Sequence, residues 1–315
     1  MAGIFLDTLP IFIGVGGIFG LTWIVLTPSR ERPIKGALRW LASRNWLEIV
    51  LVRVPVVILL ISLTGYVFLS FKVNIPNFAP FSWDHAFAKI DRLLFFGYDP
   101  WVLTHWVLPG LDGAVYLDAA YVLWFVVMNL CNVSVALLPM RNHTRLTYLL
   151  AYGINGVIGG GFIAIMMPAV GPVYMEKITG DPTFVPLMDL LYQYSHLTEL
   201  RALRLQEILW ESYANPDVDP LGISAFPSMH VEMAATFACL GFAVNRVIGW
   251  TLAAFTAIIL IGSVHLGWHY AIDGIGGIAL ALLFWWISAR VTSWWLARTD
   301  PGGTAAATGP PVTVN

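Results

Sequence analysis

Three histidines and one aspartate lie at the ends of the last apolar segments of this chain, where polar groups are costly and are therefore candidates for function. They are His230, His265, His269 and Asp273. His269 and Asp273 are four residues apart, a spacing that places them on one face of a predicted helix. The carboxylate could then accept one ring N–H of His269 and leave the other nitrogen free as a base or a nucleophile. A structural His–Asp hydrogen bond would use the same spacing.

The stretch "ISAFPSMHVEMA", residues 223–234, predicts the start of a buried helix. Pro227 restricts the backbone before the helix, and Ser228 is a residue type preferred at an N-cap. The amides of the first turn would then be free to bind an anion such as phosphate, with His230 beside it. An ordinary capped helix has the same pattern, so the stretch is informative only together with the His269 region.

A metal site is the alternative for the second region, because His265, His269 and Asp273 recur every four residues. The zinc hydrolase pattern requires a glutamate directly after its first histidine, and Leu266 occupies that position. We therefore predict neither a metal nor a cofactor. His265 is instead assigned to the lining of the cavity.

The composition is that of a membrane protein, since 58% of the 315 residues are hydrophobic and only 11% are charged. A formal net charge of −2 offers no electrostatic basis for binding nucleic acid. The first apolar stretch lacks a basic leader, so we interpret it as a retained helix. Apolar runs near the length needed to cross a bilayer predict spans at about 4–27, 46–71, 114–138, 146–168, 229–247, 248–266 and 273–297.

These features predict an all-α polytopic membrane protein with six or seven transmembrane helices. Basic residues concentrate in one set of predicted loops, which the positive-inside tendency assigns to the cytoplasm. Segments 72–113, 169–228 and 267–272 then face outward, to the periplasm, the extracellular space or a lumen. We divide the chain into N-terminal membrane helices with an outer-face re-entrant or interfacial segment (1–113), a helical bundle that carries the histidines (114–298) and a disordered tail (299–315).

One outward segment, "VPLMDLLYQYSHLTELRALRLQEILWESY" at 185–213, has apolar residues close to helical spacing. It predicts an amphipathic helix on the membrane surface or over the cavity. Arg201 and Arg204 are candidate ligands for a lipid headgroup. The alternative is a surface helix whose charges are only solvated.

Two motifs, "FPSMH" and the later "LGWHYAIDGIGG", together resemble the second and third signature motifs of the type-2 phosphatidic acid phosphatase superfamily. Its members are membrane phosphatases and phosphotransferases, and the resemblance covers roughly residues 145–297. It implies that His269 attacks phosphorus, that Asp273 orients this histidine and that His230 protonates the leaving oxygen. The same resemblance implies a core helical bundle of the superfamily's kind.

The departures from the family pattern concern phosphate-binding cations. The Ser-Arg pair that precedes the third motif in the family's phosphatases falls on Gly262 and Ser263, and the basic first motif falls near Pro168 and Pro172, where no basic residue occurs. Their absence resembles the branch of inositol phosphorylceramide synthase, to which "DHAFAKIDRLLFFGYDPWVLTHW" is also similar. A diester carries one negative charge and a monoester up to two, so fewer cations favour transfer between lipids over phosphate removal.

The predicted function is therefore a lipid phosphotransferase that acts on phospholipids or sphingolipids in the bilayer through a phosphohistidine. The predicted substrate-binding residues are Pro227, Ser228, His265, Arg201 and Arg204. Hydrolysis of a phosphatidic acid-type or polyprenyl phosphate is the alternative. A transporter is a second alternative, although an inverted repeat should show a second copy of a histidine motif and none occurs. The glycine-rich "GINGVIGGGF" is interpreted as a helix-packing surface, because Gly156 and Gly160 have small-xxx-small spacing.

Overall fold

The computed structural model describes residues 45–299, and all regular secondary structure within this range is helical. In chain order the helices are α1 (Trp46–Phe78), α2 (Asp84–Leu94), α3 (Pro100–Val107), α4 (Gly110–Leu137), α5 (Asn142–Met166), α6 (Pro172–Thr179), α7 (Val185–Leu197), α8 (Arg201–Ala214), α9 (Met229–Val244), α10 (Arg246–His265) and α11 (Ala271–Thr299). Helices α1, α4, α5, α10 and α11 are long and apolar enough to cross a membrane. The shorter α9 is also apolar. The predicted all-α membrane fold is confirmed, and the span predicted at 4–27 lies outside the described residues.

Helix α9 is the centre of the bundle and packs against α5, α10 and α11. Every residue from Val231 to Ala238 is buried. Apart from Glu232 and Thr236, this stretch is apolar, as expected of a helix that has a protein neighbour on each face. The start of α9, which carries His230, is therefore held by several helices at once.

The glycine-rich stretch of α5 packs closely against α1. Its central part, Asn155–Ile163, is π-helical. A Cβ added at Gly156 would overlap the side chain of Thr64, and one added at Gly160 would overlap the ring of Phe68. The packing interpretation of this stretch is confirmed.

The outward segments predicted from the charge pattern meet at one end of the bundle. The Ala225 N–H donates to the Ala169 carbonyl at 2.8 Å, and the Val173 N–H donates to the Gly267 carbonyl at 3.0 Å. The helices α2, α3, α6, α7 and α8 all belong to these segments. Helix α2 contacts α11, α3 contacts α10, and both α7 and α8 contact α4.

The amphipathic segment at 185–213 is two helices, which corrects the prediction of one. The chain is extended at Thr198, where φ is −152° and ψ is 131°, and α8 begins at Arg201. The buried carboxylate of Asp118 in α4 accepts the Ala202 N–H at 2.7 Å. This bond satisfies a free amide of the first turn of α8, which supports a new helix start at this point.

Candidate active site

One cavity of about 480 Å³ lies among α1, α4, α5, α8 and α9 and the loops that precede α9 and α11. Both His230 and His269 line it. Most other lining residues are apolar or aromatic, among them Ile61, Phe68, Phe125, Met128, Leu205 and Leu209. The two histidines predicted from separate motifs therefore face a common space that favours an apolar ligand.

His269 lies in the loop before α11 and not on the helix itself, which corrects the expectation from its spacing. The loop is held by two bonds, since the N–H groups of Trp268 and His269 donate to the Ser263 carbonyl at 3.0 and 3.1 Å. The Nδ1 atom of His269 is 3.4 Å from Oδ2 of Asp273. The two side chains therefore lie close together across the helix start, without the predicted hydrogen bond between them.

The Asp273 carboxylate is fully buried in the first turn of α11, and its Oδ2 accepts the N–H of Tyr270 at 3.0 Å. This contact resembles the backward bond of a capping box, so it fixes the carboxylate at the helix start. Nδ1 of His269 is close to Oδ2 but not aligned for a hydrogen bond. Catalytic hydrogen bonds are often long in ligand-free enzymes and tighten when substrate binds.

Burial determines the charge of His269. Desolvation lowers the pKa of this imidazole to about 3, against a smaller opposing effect of a hydrogen bond with the Ala225 backbone. The ring is therefore neutral at physiological pH, which is the form required of a nucleophile.

His230 is the second residue of α9 and lies in an aromatic enclosure. Its ring centroid is 5.0 Å from that of Tyr121 and 4.6 Å from that of Trp124. The indole N–H of Trp124 also donates to the His230 carbonyl at 2.8 Å. These contacts from α4 hold the ring in one orientation beside the cavity.

Pro227 lines the cavity, and Ser228 occupies the predicted N-cap position of α9. The Ser228 hydroxyl makes no capping bond, however, and is buried without a partner within residues 45–299. Its backbone N–H donates to the carbonyl of Asp273 at 3.1 Å. Ser228 thus ties the start of α9 to the start of α11, and it is absent from the cavity lining.

The other predicted ligands do not reach the cavity lining. His265 is fully buried and stacks on His105, with ring centroids 3.6 Å apart and planes at 4°. Arg201 is exposed, and Arg204 forms an exposed ion pair with Glu199 at 3.2 Å. Because α8 turns another face inward, leucines rather than arginines face the cavity from this helix.

His265 also lacks the partners that a metal ladder would need. No group of three or more histidine, cysteine, aspartate or glutamate side chains within 45–299 could hold a metal ion. Its stacking with His105 turns it toward α3, away from the pair formed by His269 and Asp273.

Two buried carboxylates of α2 were missed by the sequence reasoning. Asp84 accepts the N–H groups of Val170 and Gly171 at 3.0 and 2.9 Å and the hydroxyl of Tyr270 at 2.9 Å. Asp91 accepts the N–H groups at the start of α11, from Ala271 at 2.7 Å and from Ile272 at 2.8 Å. The two carboxylates therefore anchor the loop that carries His269.

The sequence contains a pattern that could have identified these two carboxylates. Asp84, Phe87, Ala88 and Asp91 follow the spacing of one helix face, and all four are buried. An acidic residue in an otherwise apolar stripe must find donors. Sequence reasoning also missed Lys72 of α1, which lines the cavity with both histidines.

A family model of the PAP2 superfamily, the type-2 phosphatidic acid phosphatase superfamily, matches residues 85–287. This chain belongs to the PAP2 superfamily. The match covers more than half of the chain, includes the elements that carry His230, His269 and Asp273, and begins within α2. No curated protein and no solved structure matches the chain.

Superfamily membership supports a general activity. PAP2 proteins are generally phosphatases or phosphotransferases that act on phosphate esters. The membrane helices and the apolar cavity fit a lipid substrate within a bilayer.

Proposed function

We propose that this PAP2 protein is a membrane lipid phosphotransferase that moves a phosphate-linked headgroup between lipids, as inositol phosphorylceramide synthase does. The observation that supports it most is the common cavity, a mainly apolar space that both His230 and His269 line. The proposed site faces the periplasm, the extracellular space or a lumen, because the segments that form it carry fewer basic residues than the opposite loops.

In the first half-reaction, Nε2 of neutral His269 attacks the phosphorus of the donor lipid. The bond from phosphorus to the lipid alkoxide breaks, and His230, whose protonated form is favoured by the bound anionic phosphate, donates its proton to that oxygen. Asp273 stabilises the positive charge that forms on His269 through Nδ1. The products are a neutral lipid alcohol and a headgroup phosphate bonded to His269.

In the second half-reaction, His230 is a base and takes the proton of an incoming hydroxyl. The hydroxyl oxygen attacks phosphorus, and the bond from phosphorus to Nε2 breaks. A lipid hydroxyl gives transfer, whereas water gives hydrolysis. Acid–base assistance of this kind contributes about 10²–10⁴ in rate.

The shape of the cavity supports a lipid substrate. Its α1 residues are Ile61, Thr64, Gly65, Phe68 and Lys72, which all lie on one helix face. From Ile61 to Lys72 the helix rises roughly 16 Å, close to half of the ~30 Å hydrocarbon core. A lipid chain can therefore lie along α1 while its phosphate is held at the histidines.

The test uses purified protein in detergent micelles with phospholipid labelled in its headgroup phosphate and with ceramide as an acceptor. We expect labelled product lipid from the wild type, and loss of turnover by at least about 10³-fold in His269→Ala. His196→Ala, at an exposed position of α7, is the matched control and should keep full turnover.

The products discriminate among the candidate functions. Release of free phosphate or free headgroup phosphate without labelled product lipid would show that the protein hydrolyses its substrate and does not transfer the headgroup. Full activity of a folded His269→Ala protein would refute the assigned nucleophile, and no turnover of any phospholipid or lipid phosphate would leave the transporter as the better hypothesis.

A further inference from the structure

Lys72 is the only lysine or arginine that lines the cavity within residues 45–299. We infer that Lys72 binds the phosphate of a lipid diester that carries a single negative charge. This inference rests on the proposed function, and it names the substrate class and the cation that recognises it. The cation comes from α1, which precedes the residues that the family model matches.

Within residues 45–299 the ammonium group of Lys72 has no carboxylate partner. No hydrogen bond or ion pair joins it to another described residue, and its Nζ lies 5.8 Å from the centroid of the Phe68 ring. Two of the five other described cations on the same side have carboxylate partners, Arg92 with Asp99 at 2.7 Å and Arg204 with Glu199 at 3.2 Å. An unpaired cation beside two histidines is suited to an anionic ligand.

An interfacial lysine that only reaches for water is the alternative. The loop before α9 argues against it, since a Cβ at Gly222 would overlap the backbone of Lys72 and Val73. The next residues of this loop, Ile223 and Ser224, line the same cavity. This loop therefore covers the backbone of Lys72, and the half-buried side chain of Lys72 lines the cavity.

The charge balance indicates which phosphate esters fit. Ser263, at the position of the expected arginine, is fully buried and donates its hydroxyl to the Leu260 carbonyl at 2.7 Å. His269 is neutral because it is buried. Lys72 carries its positive charge in both half-reactions, whereas His230 is charged only while it holds the proton that it transfers. A diester is therefore balanced throughout, and the second charge of a monoester would be left uncompensated in an apolar cavity once that proton has left His230.

The experiment measures binding of short-chain phosphatidylglycerol to the purified protein by quenching of tryptophan fluorescence, since Trp124 and Trp268 line the cavity. Short-chain phosphatidic acid supplies the monoester, and short-chain diacylglycerol supplies the same chains without phosphate. Lys72→Met should weaken phosphatidylglycerol binding about 10–100-fold, as expected for a charged hydrogen bond. Lys72→Arg should restore most of it, and the exposed Lys89→Met is the matched control.

Binding of diacylglycerol should be the same in wild type and Lys72→Met. The inference is overturned if Lys72→Met binds phosphatidylglycerol as the wild type does, or if it loses diacylglycerol binding equally. Tighter wild-type binding of phosphatidic acid than of phosphatidylglycerol would overturn the assignment of a diester. In His269→Ala, binding of phosphatidylglycerol should still depend on Lys72. The binding assay therefore tests the phosphate site separately from the turnover assay, which tests the proposed function.

Discussion

At the scale of single residues, Asp91 shows how a buried carboxylate supports a site that it does not touch. Its two oxygens accept the first amides of α11, so it holds the helix start next to His269. Burial raises the pKa of Asp91 from 3.8 to about 7, although the bonds from Ala271 and Ile272 act in the opposite direction. The residue therefore titrates near neutrality.

This shift predicts a pH dependence of stability. Between about pH 4 and pH 7 the unfolded chain has lost the Asp91 proton while the folded protein keeps it, so this residue makes stability fall as pH rises through that window. Residue 91 does not titrate in Asp91→Asn, so the melting temperature of this variant should fall less between pH 4 and pH 7 than that of the wild type. Melting curves of the detergent-purified proteins from pH 4 to pH 8 measure it, with the exposed Asp189→Asn as control. Identical pH profiles for wild type and Asp91→Asn would contradict the prediction.

Some site residues could be predicted from sequence, and others could not. His230 and His269 could be assigned to one site because their two motifs together resemble those of a known family, and both line the cavity. Lys72 could not, because a lysine near the end of an apolar run has the same sequence pattern whether it faces water or a cavity. Only the packing of the loop at Gly222 over α1 distinguishes the two.

At the scale of helices, α1 and α5 depend on glycines for their close approach. Gly156→Ala places a methyl group against Thr64, and overpacking of this kind typically costs about 1–3 kcal/mol. Gly65→Ala is the matched control, since a Cβ at Gly65 of α1 meets nothing within 4 Å. We expect a lower melting temperature for the first variant and an unchanged or higher one for the second. Equal melting temperatures would show that the helices can separate at no cost.

Hydropathy predicted the positions of the long apolar helices, but it did not predict the break between α7 and α8. The apolar runs predicted α4, α5, α9, α10 and α11 to within a few residues, because burial in lipid or protein requires long apolar segments. The helix start that follows the break at Thr198 is bonded to Asp118, a residue of another helix 84 positions before Ala202. Periodicity within one segment carries no information about such a partner.

At the scale of the whole molecule, the cavity extends from the histidines along α1 toward the middle of the bundle. Ile61 lines the part farthest along α1 from Lys72, so Ile61→Trp should shorten the space for a lipid chain. We expect turnover of long-chain lipids to fall at least about 10-fold while short-chain lipids are turned over as before. Leu59→Trp, at a position 68% exposed on the outside of α1, is the matched control. A uniform loss for all chain lengths would exclude a chain-binding role for this region.

The short central helix has a consequence for where the reaction takes place. With 16 residues, α9 rises roughly 24 Å, less than the ~30 Å thickness of a bilayer's hydrocarbon layer. At least one of its ends must therefore stop below the membrane surface. If the recessed end is the one that bears His230, the phosphorus reacts below the membrane surface. A membrane-anchored ester reaches this depth by moving deeper into the bilayer, whereas a water-soluble ester would first have to leave water.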